Sequence, residues 1–103
     1  MYLVAGGAGF LGEVLIKKLL MEGKTVRSFD LNLTNLKHKN LEVIQGDILD
    51  EKLVTKLVKE NEIVYLFASL ADIDLARHNP IQTVKTNVLG AVNVIDACVK
   101  HGI

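Results

Sequence analysis

The chain has 103 residues, half of them apolar and 23% charged, which excludes a disordered or fibrous segment and leaves room for a single globular domain. Twelve Lys and Arg balance twelve Asp and Glu, so the long-range field that gathers nucleic acid or an anionic membrane is missing, and neither partner is expected. Every apolar run falls short of the ~20 residues of a membrane helix, and no basic segment precedes an apolar one at the start, so the expected compartment is the cytoplasm.

Tyr2 to Ala5 reads as a short apolar strand that runs directly into glycines. From Phe10 to about Glu22, Leu11, Val14, Leu15, Leu19 and Leu20 recur at helical spacing, with Glu13 four residues before Lys17 on the polar side. Gly23 ends that helix. Thr25 to Phe29 is β-branched and aromatic enough for a second strand, Leu41 to Gln45 for a third, and Ile63 to Ala68 for a fourth. The fourth is almost continuously apolar, which predicts burial on both faces.

Between strands three and four, Asp50 can cap a helix carrying Leu53, Val54, Leu57 and Val58 on its inner stripe. Asn79, Pro80 and Gln82 form a second helix-start signal, after which Ile81, Val84, Val88, Val92, Ile95 and Val99 make an apolar stripe that ends near His101, with Gly102 closing the helix. Strand and helix alternate throughout. That predicts an α/β fold with parallel strands, the Rossmann-type doubly wound arrangement, here of about four strands in the order 3-2-1-4.

The densest chemistry lies in Gly6-Gly7-Ala8-Gly9-Phe10-Leu11-Gly12, between the first strand and its helix. Gly7, Gly9 and Gly12 satisfy GxGxxG; Gly6, Gly9 and Gly12 satisfy GxxGxxG. A pyrophosphate can approach such a backbone because no Cβ stands in the way, and the helix N-terminus offers it free N–H groups and partial positive charge. Alone the pattern is weak. Strand before, helix after and Asp30 closing the second strand complete the dinucleotide fingerprint. Asp30 can accept hydrogen bonds from ribose hydroxyls, whereas the 2′-phosphate of NADP would set like charges together, so NAD is the expected cofactor.

With these residues in place the chain resembles the extended short-chain dehydrogenase/reductase family, of the NAD-dependent sugar-nucleotide epimerase/dehydratase type, along essentially its whole length. Ala5 to Gly12 is similar to the family's GGxGFxG, which implies pyrophosphate contacts from Gly6, Gly9 and Gly12 and from the backbone of Phe10 and Leu11. Gly46-Asp47-Ile48 resembles its GD-aliphatic step, where the acid is expected to meet adenine; read locally, Asp47 belongs to the turn before the Asp50 cap. Phe67-Ala68-Ser69 resembles the segment along the nicotinamide ribose. Leu66 and Ser69 depart there from the usual His and Ala or Gly.

Thr86 to Asn93 is similar to VNxxGTxN, whose first Asn, here Asn87, helps position the cofactor. Gly90 within that helix is expected to mark close packing.

The family's YxxxK cannot be assigned: Tyr2 and Tyr65 are followed four residues later by Gly6 and Ser69. The resemblance therefore implies that residues 1–103 are the first part of an NAD-binding domain, that the catalytic segment and substrate domain lie outside them, and that hydride transfer with a nucleotide-sugar substrate belongs to the complete enzyme. A non-catalytic dinucleotide-binding sensor or scaffold is the alternative. A short-chain reductase of the non-extended kind fits the Phe10-Leu11-Gly12 ending and the Asp47-Ile48 step less well. Ser69 has no base placed beside it, Asp72 and Asp74 read as solvated loop acids, and no catalytic residue is assigned. Cys98 reads as a small buried hydrophobe, and neither it nor His38, His78 and His101 has metal-ligand spacing, so no metal is expected. In the expected order strand four has an open edge with apolar faces partly uncovered, so self-association is expected.

Overall fold

Alternation of side chains along the first strand decides the layering. In the computed structural model, which describes residues 1–68 and 73–103, β1 (Tyr2–Ala5) turns Leu3 and Ala5 to one face of the sheet and Val4 to the other. β2 (Val26–Asp30), β3 (Leu41–Gln45) and β4 (Ile63–Leu66) complete an all-parallel sheet in the order β3-β2-β1-β4. The expected fold class and strand order are both observed. Helix α1 (Phe10–Met21) covers one face, packing Ile16 and Leu19 on Val4 and Val26. Helices α2 (Glu51–Val58) and α5 (Ala91–His101) cover the other, where Val54, Leu57, Val58, Val94 and Ala97 meet Leu3, Ala5 and Phe29.

The boundaries follow local chemistry. Asp50 caps α2 by accepting from the Leu53 N–H at 3.2 Å, as its position before the apolar stripe predicts. Gly23 and Gly102 take the left-handed conformation that ends α1 and α5; behind Gly102, the Ile103 N–H returns to the Cys98 carbonyl at 2.9 Å. β4 stops at Leu66, two residues short of the expected end. Among the described residues it pairs only with β1, so Ile63 is exposed and Val64 to Leu66 are half-buried, not enclosed on both faces.

Two helical features depart from the sequence reading. A short helix, α3 (Ile73–His78), follows β4, so Asp74 lies on a helix and not in a loop, and its carbonyl meets His78 Nδ1 at 2.8 Å. Asp72 lies outside the described residues. The long apolar segment is α4 (Pro80–Val84), a π-helical turn over Lys85–Gly90, and α5. Pro80 sits at its first turn as expected, although Gln82 reaches forward to Thr86 Oγ1 at 3.2 Å and not back to the cap.

The stripe Ile81, Val84, Val88, Val92, Ile95 and Val99, expected to face inward, is exposed at every position. Thr86, Gly90, Val94 and Ala97 form the buried face. Small residues win because this helix approaches α2 and the Ile48 turn closely: a Cβ on Gly90 would stand 2.6 Å from Ile48 Cγ2.

Helix α1 shows the same correction on a smaller scale. Val14 and Leu11 are exposed, while Ile16, which does not belong to the stripe read from the sequence, is fully buried. No described helix is long and apolar enough to cross a membrane. Replacing Ile16 by Ala should lower stability by about 2–5 kcal/mol in urea denaturation, through lost transfer energy and the cavity left behind. Val14→Ala should stay within about 0.5 kcal/mol in the same measurement.

Candidate functional site

At the carboxyl ends of the parallel strands lies an open cleft of about 260 Å³, the position where open α/β sheets bind ligands. Its floor is the turn out of β1. Gly6 has φ +92°, and a Cβ there would stand 2.7 Å from the backbone of both Phe67 and Ala68. A Cβ on Gly12 would collide with the Gly6 carbonyl oxygen. Glycine at these two positions lets the turn lie against β4 on one side and the first turn of α1 on the other. The Gly9 N–H donates to the Gly6 carbonyl at 3.2 Å, and the Glu13 N–H to the Gly9 carbonyl at 2.9 Å. No side chain caps α1, so its first N–H groups open onto the turn, with Glu13 the acidic residue of the first helical turn.

Asp30 faces that turn. Its Oδ2 accepts from the Ala8 N–H at 3.0 Å and its Oδ1 from the Asn32 N–H at 2.9 Å, which holds the carboxylate in one orientation. Each oxygen keeps a further lone pair. On the other flank of α1, Thr34 Oγ1 donates to Glu13 Oε1 at 2.9 Å, tying the loop after β2 to the helix.

The cleft is lined by six of the residues singled out from the sequence: Gly6, Gly9, Asp30, Ile48, Phe67 and Ala68. Phe10, Leu11 and Gly12 stand in the first turn of α1; the Phe10 and Leu11 side chains point to solvent, and Gly12 is buried beneath the turn. Asp47 is half-buried between Gly46 and Ile48. It accepts locally, from Leu49 N–H at Oδ1 and from Asp50 N–H at its carbonyl, both at 2.9 Å, as in the turn-forming reading of this residue. Asn87 is half-buried beside the cleft wall. Ser69 lies outside the described residues.

Thr86 is a wall residue that sequence reasoning missed. Its neighbour Asn87 attracted attention by polarity, but Thr86 is the one buried against the cleft. A signal did exist: Thr86, Gly90, Val94 and Ala97 recur at helical spacing and are small. Asn32 and Gly46 also line the cleft, beside the tips of β2 and β3. Partial burial pushes the Cys98 thiol above its ordinary pKa. Among the described residues no group of three or more His, Cys, Asp or Glu could hold a metal ion.

Residues 3–103 match the 3-beta hydroxysteroid dehydrogenase/isomerase family. The chain belongs to that family. The resemblance to extended short-chain dehydrogenases/reductases is thereby upheld. An uncharacterized membrane protein of Methanocaldococcus jannaschii is 37% identical over 102 residues, covering 91% of this chain and 31% of the relative. A dTDP-glucose 4,6-dehydratase of Mycobacterium tuberculosis is 33% identical over 110 residues, covering 98% of this chain and 33% of the relative. Among solved structures, the UDP-glucose 4-epimerase of Thermus thermophilus, in complex with NAD, superposes with a TM-score of 0.83 at 30% identity, covering 99% of this chain and 34% of that one. The chain thus spans about a third of the length of these relatives.

The two glycines of the floor make a direct test of the turn. Gly12→Ala should cost about 1–3 kcal/mol in urea denaturation, because its Cβ must displace backbone and not a flexible side chain. At Gly9 the nearest atom to an added Cβ is 3.4 Å away, and Gly9→Ala should cost under about 1 kcal/mol.

Proposed function

We propose that residues 1–103 form the NAD-binding part of a sugar-nucleotide epimerase or dehydratase. The observation that carries this reading is the Asp30 carboxylate set against the glycine turn. An uncapped helix N-terminus and a glycine-rich floor fit a diphosphate, and Asp30 fits the ribose hydroxyls beside it. In the complete enzyme, bound NAD supplies hydride transfer. This chain's own residues would bind and orient it: Gly6, Gly9, Phe10, Leu11 and Gly12 at the diphosphate, Asp30 at the ribose, Asp47 and Ile48 at the base, and Phe67, Ala68, Ser69, Thr86 and Asn87 at the far end.

Sugar nucleotides are favoured as substrates by the dehydratase and epimerase relatives, and the balanced charge and absence of a long apolar span favour the cytoplasm. No tyrosine here is followed by lysine at the fourth position. This chain alone should therefore bind without turnover, an outcome it shares with a non-catalytic sensor or scaffold. Turnover by the full-length protein separates the two.

Calorimetry on the 103-residue chain should show saturable NAD binding at least about tenfold tighter than NADP binding, since the 2′-phosphate would approach the Asp30 carboxylate. Asp30→Ala should weaken NAD binding about tenfold and shrink that preference. Equal affinity for the two cofactors in the unmodified chain would remove Asp30 from this role.

We also propose that the chain associates with a second copy of itself. Its surface offers the outer apolar stripe of α4, the π turn and α5, which runs to both sides of Gly90. Laid antiparallel on itself about Gly90 it matches Ile81 with Val99 and Val88 with Val92, and brings Val84 within one residue of Ile95. Lys85 of each copy then comes within one residue of Asp96 of the other, where Asp96 now pairs with Lys100 at 2.8 Å. A self-complementary patch of this kind is what a two-fold interface requires. Light scattering should show a dimer that Val88→Asp converts to monomer. A monodisperse monomer of the unmodified chain at high concentration would contradict the proposal.

A further inference from the structure

One side chain on the inner side of α5 acts on the cleft without lining it. The Asn93 amide donates from Nδ2 to the Ile48 carbonyl at 3.1 Å, a bond between residues forty-five positions apart. One turn earlier Gly90 packs so closely on Ile48 that no larger residue fits without displacing it. Ile48 is buried and walls the cleft beside Asp30. Of the other bonds of the Gly46–Asp50 turn, the Gly46 N–H donates to the Asp30 carbonyl at 2.9 Å, Asp50 accepts from the Leu53 and Val54 N–H groups of α2, and those from Leu49 N–H and Asp50 N–H to Asp47 are internal. They hold the two ends of the turn and its shape, while the Asn93 bond holds its middle at Ile48.

Resting on the dinucleotide reading above, we infer that Asn93 is a positioning residue for the nucleoside end of the ligand. A base attached to the ribose at Asp30 extends toward Leu31, Gly46 and Ile48 at the tips of β2 and β3. Asn93 and Gly90 hold Ile48 at the spacing that a purine ring needs, while Asn93 itself stays off the ligand. The same helical segment carries Thr86, seven residues before Asn93, among the residues that line the cleft. Because the Asn93 bond reaches Ile48, its loss should be felt at the adenine end and not at the other.

Asn93→Asp tests this at constant size, because it replaces the donor by an acceptor facing the Ile48 carbonyl. AMP and NAD should each bind about five- to tenfold more weakly, the loss expected of one hydrogen bond. Nicotinamide mononucleotide should bind as before, and amide hydrogen exchange at Leu49 and Asp50 should accelerate. A merely structural role would weaken both half-ligands alike, and that result would overturn the inference. So would unchanged AMP binding together with unchanged exchange. If the unmodified chain binds neither AMP nor NAD, the dinucleotide reading fails and Asn93 loses its ligand, while the exchange data still show separately whether it tethers the turn. Should Asn93→Asp not fold, Asn93→Ala is read in the same way.

Discussion

The hydrogen bond from the Ala8 N–H to the Asp30 carboxylate ties the glycine turn to the tip of the neighbouring strand, and the candidate site depends on it. It joins two features that arise separately along the chain: a glycine-rich stretch of backbone and a single negative charge. The turn can lie where it does because β1 and β2 pair in parallel with Ala5 opposite Phe29, so Gly6 and Asp30 leave the sheet at the same level. Parallel pairing in turn requires a crossover, and α1 supplies it while pointing its positive end at the turn. Fold and site are therefore one arrangement, and the glycines serve both.

The helical segment from Pro80 to His101 is the second organising element, because it has apolar character on two opposite sides. Its small side, with Thr86, Gly90, Val94 and Ala97, allows close approach to Ile48 and α2. Its β-branched side remains in solvent, as a helix needing a second partner would have it. A π-helical turn lies where Thr86 meets the cleft, a distortion often found near functional residues.

Much of this was legible without coordinates. The glycine turn, Asp30, the limits of β3, the Asp50 cap and the Gly102 stop are signals carried by a few adjacent residues, and each is where local chemistry puts it. Less was legible at the edges of the site. Thr86 is chemically bland beside Asn87, and the Asn93 bond to Ile48 spans a sequence distance that no local pattern reports. The end of β4 follows from its pairing with β1, information that propensity does not contain.

The sequence by itself determined the alternation of strands and helices, hence the parallel sheet and the end of it at which a ligand can sit, because periodicity and glycine placement act over one turn or one strand. Only the tertiary structure decided which of two apolar stripes faces inward. Helical periodicity marks both equally, and the choice falls to the side small enough for the helix to approach Ile48 and α2. The same steric selection buries Ile16 and leaves Val14 exposed.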